Sequence, residues 1–282
     1  MRGVLGALLV LCLGSPRSLW ASGMTLHIWM AEKAAQEYVT QPELKELLDE
    51  QGAAWRNGAV FPDAGYAIKK PFGEYAHWHE FLNAYYAVFR EQCPSLATEP
   101  CRRIFAHLLG VLAHDIGDVN FDRHFVTSVA AADQGGDIDK AQALTDPGCD
   151  FLAILEHQRG FRIPDLKLPE DTLLAAFERG GEVNVTREDL RRSAGIQKLA
   201  LVGEPLGSPF TYLYYKSKMS WGAQNYYSAR GGVEDTARRI GIAWDLLWES
   251  LAAPLQDKAL FFSEGGWPNV DFYVNGHLLE DF

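Results

Sequence analysis

The stretch Ile104-Phe-Ala-His-Leu-Leu-Gly-Val-Leu-Ala-His114-Asp-Ile-Gly-Asp118 is an apolar helical pattern interrupted by a few polar side chains. His114 and Asp118 stand four residues apart, so on a helix they lie on one face and can bind one ion. His124 follows as a third potential ligand. Because the flanking residues are apolar, we expect these groups in the core, where polar side chains must be paired or metal-bound. The stretch predicts a buried metal centre, although the spacing alone leaves open a hydrogen-bonded pair without metal.

The composition is that of a globular protein with a substantial core. Of 282 residues, 48% are hydrophobic and 22% are charged, and no segment is of low complexity. The 26 basic and 37 acidic residues give a net charge of -11, which opposes general attraction to polyanions. We therefore expect no stable nucleic-acid partner. Nucleic acid or anionic lipid would be held only locally, for example by metal ions.

The N-terminal segment has the pattern of a secretory signal. A basic start and a short apolar stretch, Met1–Gly14, precede a polar, small-residue end that closes at Ala21. The apolar stretch is shorter than the ~20 residues that a membrane span requires. We therefore predict a signal peptide over residues 1–21, a mature terminus at Ser22 and a single domain over residues 22–282. The mature protein is expected to be secreted or periplasmic.

The cysteines indicate a small disulfide loop. Cys93 and Cys101 enclose a segment with two prolines and little helical pattern, which favours a disulfide in an oxidising compartment. Cys149 then remains as a buried free thiol. A zinc–thiolate site is disfavoured because the chain contains no CxxC pair.

Apolar spacing predicts a mainly helical chain. The helices are expected over residues 27–38, 41–51, 79–92, 102–118, 141–158, 171–180, 187–201 and 233–253. Residues 57–73 are rich in Gly and Pro and are expected to form a loop. Residues 258–274 alternate enough to predict a strand pair or an extended arm. No linker, charge block or repeat divides the chain, so a single all-α domain is the simplest interpretation.

Further histidines and aspartates stand where they can join the centre. His27 opens a helix just after the predicted cleavage site, and Asp63 lies in a Pro-Asp turn. His77 is preferred as a ligand over His79, at the start of an aromatic helix. Mixed His and Asp ligands without Cys are typical of catalytic zinc, which keeps an open position for water.

Several segments carry a family resemblance. They are Gly23–His27, Gly58–Asp63, His77–Ala84, Phe105–Asp118 and Asp133–Asp137. Together they resemble the zinc-dependent phospholipase C family, whose relatives include the fungal zinc single-strand nucleases, and in particular the catalytic domain of glycosylphosphatidylinositol-specific phospholipase D. The resemblance covers nearly all of the predicted mature chain and implies an all-α, multi-helix bundle.

The resemblance also implies a ligand set for two to three Zn²⁺ ions. One ion would be held by Asp63, His77, His114 and Asp118. Asp118 would bridge to a second ion, shared with His27 and the free terminus at Ser22. His124 and Asp133 would hold the remaining ion. Asp63 is in addition the candidate proton acceptor for catalysis.

One position departs from the family pattern. The family places a histidine four residues before the acidic ligand, where this chain has Val129. The site of His124 and Asp133 would then be short of one ligand, or completed by Asp137 or Asp122. Asp137 serves equally well as a helix cap.

The resemblance implies an exported phosphodiesterase, in which metal-activated water attacks phosphorus. Its expected substrate is a phospholipid or a glycosylphosphatidylinositol-type molecule, met at a membrane surface, and its expected state is a monomer. The side of the phosphate that is cleaved stays open. The alternatives are a zinc nuclease of the same fold, or a zinc- or lipid-binding protein with impaired catalysis because of Val129.

Overall fold

The computed structural model describes residues 23–159, 167–181, 184–252, 261–265 and 270–282. The predicted signal peptide and Ser22 lie outside the described residues. The helices are α1 Met24–Lys33, α2 Pro42–Glu50, α3 Gly52–Gly58, α4 Ala64–Ala67, α5 Phe72–Tyr75, α6 His79–Gln92, α7 Glu99–Asn120, α8 Thr127–Asp133, α9 Ile138–His157, α10 Glu170–Gly180, α11 Arg187–Lys218, α12 Ser220–Asn225 and α13 Val233–Ser250. The predicted all-α fold is confirmed.

A small antiparallel sheet follows the helices. Its strands are β1 Phe261–Glu264, β2 Asp271–Val274 and β3 His277–Leu278, in that spatial order. Phe261 pairs with Val274 at one end of the β1–β2 ladder, and Glu264 pairs with Asp271 at the other. The predicted strand pair near the C-terminus is therefore confirmed. β1 packs against α6, and β2 contacts α13.

The long helix α7 runs through the core, and α3 crosses it at van der Waals distance. A Cβ atom on Gly110 would lie 2.0 Å from the Trp55 carbonyl oxygen, and one on Gly58 would lie 2.1 Å from the His107 carbonyl oxygen. The two backbones can approach this closely only because both positions are glycine. The sequence interpretation placed Gly58 in a loop, whereas it ends a helix whose packing requires it.

Two helices continue through π-type turns. α1 passes into Ala34–Tyr38, and α7 passes through Phe121–Val126 into α8. The sequence interpretation ended the helix at Asp118. π-type turns inside helices are frequent at functional sites because they redirect side chains. Here the second one carries His124.

Helix α11 is much longer than predicted. Thr186 and Asp189 form a capping box at its start, and the helix continues beyond Leu201 through Pro205 and Pro209 to Lys218. Proline in a helix interior removes a hydrogen bond and favours a bend. Extensive packing of α11 on α9, with further contacts to α4, accompanies this continuation.

The cysteine predictions are confirmed. Cys93 and Cys101 form a disulfide between the end of α6 and the start of α7, and Cys149 is a buried free thiol in α9. None of the helices in the described part of the chain is both long and apolar enough to span a membrane.

Candidate metal centre

His114 is fully buried on α7 and is oriented by the helix crossing. Its Nδ1 lies 2.8 Å from the carbonyl oxygen of Ala59, the residue that directly follows α3. A carbonyl oxygen only accepts, so Nδ1–H donates to it and Nε2 is the ring nitrogen left to face the other side chains of the centre. The close approach of Gly58 and Gly110 thus positions the Ala59 carbonyl oxygen, which fixes the tautomer of His114.

His77 has the same arrangement. Its Nδ1 lies 2.6 Å from the Gly73 carbonyl oxygen, so its Nε2 also faces the centre. The Nε2 atoms of His77 and His114 are 3.1 Å apart. Two neutral imidazoles would present lone pairs to each other at this distance. A proton or a metal cation between them removes that repulsion.

Asp63 and Asp118 complete a four-residue cluster. Asp63 Oδ1 lies 3.4 Å from His77 Nε2 and 3.8 Å from His114 Nε2, and Asp118 Oδ2 lies 3.4 and 3.2 Å from the same two atoms. A tetrahedron of zinc ligands at about 2.0–2.1 Å has edges of about 3.4 Å. Both Asp63 oxygens are buried without a hydrogen-bond partner in the described structure. The donor set and its spacing fit zinc.

The second oxygen of Asp118 faces His27. Asp118 Oδ1 lies 3.1 Å from His27 Nε2, and the His27 ring stacks on His114 with centroids 3.9 Å apart. Gly117 makes room for this ring, because a Cβ atom there would lie 2.7 Å from His27 Nδ1. Asp118 therefore presents one oxygen to each of two potential metal positions.

The start of α1 is held beneath the centre by Asp150. Its carboxylate accepts the backbone N–H groups of Leu26 at 2.7 Å and Thr25 at 3.3 Å. A carboxylate at a helix N-terminus satisfies free donors and complements the helix dipole. This contact fixes His27 relative to α9.

His124 and Asp133, the ligands expected for a third ion, each have a protein partner in the described structure. His124 Nε2 lies 2.9 Å from Glu280 Oε1, and the two Asp133 oxygens accept the backbone N–H groups of Trp221 and Gly222 at the start of α12. Both side chains thus have structural partners elsewhere. Asp137, the proposed substitute, caps α9 through the Lys140 N–H. Val129 is buried in the hydrophobic core.

Three other buried carboxylates lie near the centre, and the sequence analysis did not include them among the expected ligands. Asp115, Asp122 and Asp146 each have at least one buried oxygen without a hydrogen-bond partner among the described residues. Burial raises the pKa of each, and the charge of Asp122 raises that of Asp146 further. Asp122 was considered only as a substitute ligand. Asp146 lies on the apolar face of α9, where a buried acid is itself a signal.

His107 and His79 are not part of the cluster. Burial lowers the pKa of His107 to about 3, and its Nδ1 lies 3.0 Å from the Tyr85 hydroxyl. His107 is thus a neutral core histidine. His79 lies 3.2 Å from the Ser263 hydroxyl and faces the cleft.

The charges of the cluster oppose the effect of burial. Burial alone would lower the pKa of His114, but the carboxylates of Asp118 and Asp63 raise it to about 10. Burial would raise the pKa of Asp118, yet His114 and His27 hold it well below its usual range. In the metal-free protein at neutral pH, a proton on His114 therefore occupies the place that a cation would take.

Zinc uptake at pH 7 is consequently expected to release protons, that of His114 above all and also that of His77, whose pKa Asp63 and Asp118 raise against the effect of burial. The metal-free protein should gain stability from protonated His114 below pH 6.5 and lose it as the pH rises through about 10. Zinc affinity should rise over the same interval because the proton is a weaker competitor. Calorimetric titration with zinc in two buffers of different ionisation enthalpy measures the protons released. A buffer-independent enthalpy at pH 7 would exclude the exchange.

A cleft of about 320 Å³ opens over the centre. Its lining includes Asp115 and Asp118 of α7, Asp122 of the π-type turn that follows, Phe272 of β2 and Val270. Tyr66, Trp78 and His79 line the rest. A cavity of this size, part acidic and part apolar, accommodates a small polar group and part of an apolar chain.

The chain matches one family and a group of curated relatives. The family described as zinc dependent phospholipase C matches residues 26–170, just over half of the chain. The chain is 27% identical over 248 residues to phosphatidylinositol-glycan-specific phospholipase D of Bos taurus. The aligned region covers 82% of this chain and 29% of that protein. The protein of the same name from Homo sapiens is 27% identical over 231 residues, which are 76% of this chain and 28% of that protein. The one from Dictyostelium discoideum is 24% identical over 255 residues, which are 86% of this chain and 27% of that protein. The chain thus spans less than a third of these relatives. No solved structure matches it.

Proposed function

Because the chain belongs to the zinc-dependent phospholipase C family, we propose that it is a zinc-dependent phosphodiesterase acting on phospholipids or glycosylphosphatidylinositol-type substrates. The observation that carries the proposal is the buried cluster of Asp63, His77, His114 and Asp118, whose donor atoms have the spacing of zinc ligands. The cluster lies beside a cleft large enough for a phosphate and its substituents.

The proposed ligands divide between two ions. Asp63, His77, His114 and Asp118 would hold the first, and His27, Asp118 and the terminus at Ser22 would hold the second. Bound zinc would lower the pKa of water and neutralise negative charge on a phosphodiester. The carbonyl oxygens of Ala59 and Gly73 keep His114 and His77 in the tautomer that ligation requires. A third ion would be held by His124 with Asp133, or by His124 with the buried carboxylates of Asp122 and Asp146.

Asp63 is proposed to act as a proton acceptor as well as a ligand. Both of its oxygens lack hydrogen-bond partners in the described structure, so one can face zinc while the other receives a proton. His77 and His114 lie beside this carboxylate, with their Nε2 atoms 3.4 and 3.8 Å from its Oδ1. Its burial removes competing water from this exchange.

Export is part of the proposal. Cleavage after Ala21 would leave the free amine of Ser22 two residues from the start of α1, whose His27 faces Asp118. The disulfide between Cys93 and Cys101 also suits an oxidising compartment. A protein matured in this way would complete its second metal site only after cleavage.

Product analysis tests the proposal and separates its versions. The mature protein is incubated with phosphatidylcholine, phosphatidylinositol, a glycosylphosphatidylinositol-anchored protein and single-stranded DNA, with and without a chelator. We expect diacylglycerol or phosphatidic acid to be released, release to stop with the chelator, and zinc to restore it. Nucleotides as the sole product would establish the nuclease alternative instead. A zinc-loaded protein without any phosphodiesterase activity would refute the enzyme proposal.

A further inference from the structure

Helix α11 exposes an apolar stripe on its outer face. The stripe consists of Leu199, Leu206, Phe210 and Leu213, which are 72%, 62%, 78% and 74% exposed, together with Val202 and Tyr214. Successive residues of a helix are about 100° apart, so these side chains fall within about 120° of one another around the helix. They extend along about 20 Å of its axis. A continuous apolar surface of this length marks an interaction site rather than scattered surface residues.

The exposed charges that α11 itself contributes along the stripe are all basic. Between residues 191 and 218 the exposed charged side chains are Arg191, Arg192, Lys198, Lys216 and Lys218. The acid in this segment, Glu204, is buried and accepts a hydrogen bond from the Thr25 hydroxyl. Arg191 pairs with Glu170 and Lys216 with Glu156, so Arg192, Lys198 and Lys218 are the cations most available to a partner. This arrangement stands out in a chain with a net charge of -11.

The inner face of the same helix contacts the surroundings of the metal centre. Gln197 donates to the carbonyl oxygen of Val60, three residues before Asp63. Glu204 contacts Thr25, two residues before His27. The helix also packs against α4, whose Tyr66 lines the cleft. A surface that docks on the outer face would therefore lie one helix away from the metal ligands.

We propose that the outer face of α11 is the surface by which the protein binds an anionic lipid bilayer. The apolar stripe would enter the acyl boundary, while the cations at both ends would contact negatively charged headgroups. A second copy of the chain fits less well, since parallel or antiparallel pairing of two such helices brings positive ends together. The inference rests on the proposed function only in that the bilayer would carry the substrate.

Vesicle binding by the zinc-loaded protein tests the surface. Co-sedimentation is measured with phosphatidylcholine vesicles with and without about 30% phosphatidylserine. The apolar variant carries Phe210→Ser and Leu213→Ser, and the charge variant carries Arg192→Glu and Lys198→Glu. Phe282→Ser and Lys45→Glu are the matched controls, because both residues are exposed and lie outside α11. All six substitutions are on the surface, so folding should be retained.

We expect the apolar variant to bind about 100-fold more weakly, since two large apolar side chains are no longer buried. The charge variant should lose about tenfold or more, and only on vesicles that contain phosphatidylserine. Both controls should bind as the parent protein does. Unchanged binding of the apolar variant would overturn the inference. So would a dimer of the parent protein that this variant dissociates.

Hydrolysis of a water-soluble, short-chain phospholipid separates this inference from the proposed function. If both are right, the α11 variants keep this activity while they lose vesicle binding. If vesicle binding depends on α11 but the parent protein hydrolyses no substrate, the proposed function alone is refuted. If hydrolysis is normal but the α11 variants bind vesicles as the parent protein does, the inference alone is refuted.

Discussion

Replacing Asp118 by Asn is expected to lower phosphodiesterase activity by about 1,000-fold or more and to reduce the zinc content. Asp118 presents one oxygen to His114 and His77 and the other to His27, so a single carboxylate serves both proposed ions. Asparagine keeps the size of the side chain but removes its negative charge. The loss corresponds to about 4 kcal/mol of transition-state stabilisation, within the range that metal ions supply.

The matched control for Asp118 is Asp139→Asn, an exposed position at the start of α9. This variant should keep the activity and the zinc content of the parent protein. Circular dichroism shows whether the Asp118 variant is folded, and metal analysis shows which ions it has lost. Full activity of a folded Asp118→Asn variant would mean that the carboxylate does not bridge the centre.

Gly110→Ala is expected to destabilise the protein by about 3 kcal/mol or more, because a buried contact becomes overpacked. The added methyl group would lie 2.0 Å from the Trp55 carbonyl oxygen and 2.7 Å from the Ala59 backbone nitrogen, and backbone cannot move aside as a side chain does. Forcing α3 and α7 apart also moves the Ala59 carbonyl oxygen away from His114 Nδ1. Zinc affinity should therefore fall together with stability.

Gly195→Ala in α11 is the control, because a Cβ atom there meets nothing within 4 Å. Alanine is the better helix former, so this variant should be more stable by about 0.5–1 kcal/mol. Urea unfolding of the zinc-loaded proteins measures both changes. Equal effects of the two substitutions would show that the approach of α3 and α7 does not depend on glycine.

The helix that carries His114 and Asp118 could be predicted because its signal is local. Apolar spacing places the two side chains on one face, and the structure confirms that their donor atoms are 3.2 Å apart. The family resemblance added Asp63, His77 and His27, which come from separate parts of the chain. Local patterns hold no information on such distant approaches, so periodicity alone would have missed them.

Other predictions depend on distant contacts, which local sequence patterns do not report. The assignment of His124 to a metal by resemblance stays a prediction, and the structure adds Glu280, 156 positions later, beside its Nε2. The end of α11 was placed too early, since its continuation through two prolines coincides with packing on α9. Gly58 was taken as a loop residue, although a glycine required for close packing and one required for a turn look alike in sequence.

The buried His and Asp side chains are proposed to form a centre for more than one zinc ion. Metal analysis of the purified mature protein, combined with X-ray absorption at the zinc edge, measures the number of ions and their ligand atoms. We expect two or three zinc ions per chain, each bound by nitrogen and oxygen at about 2.0–2.2 Å. Fewer than two zinc ions per chain, or sulfur ligands at about 2.3 Å, would contradict it.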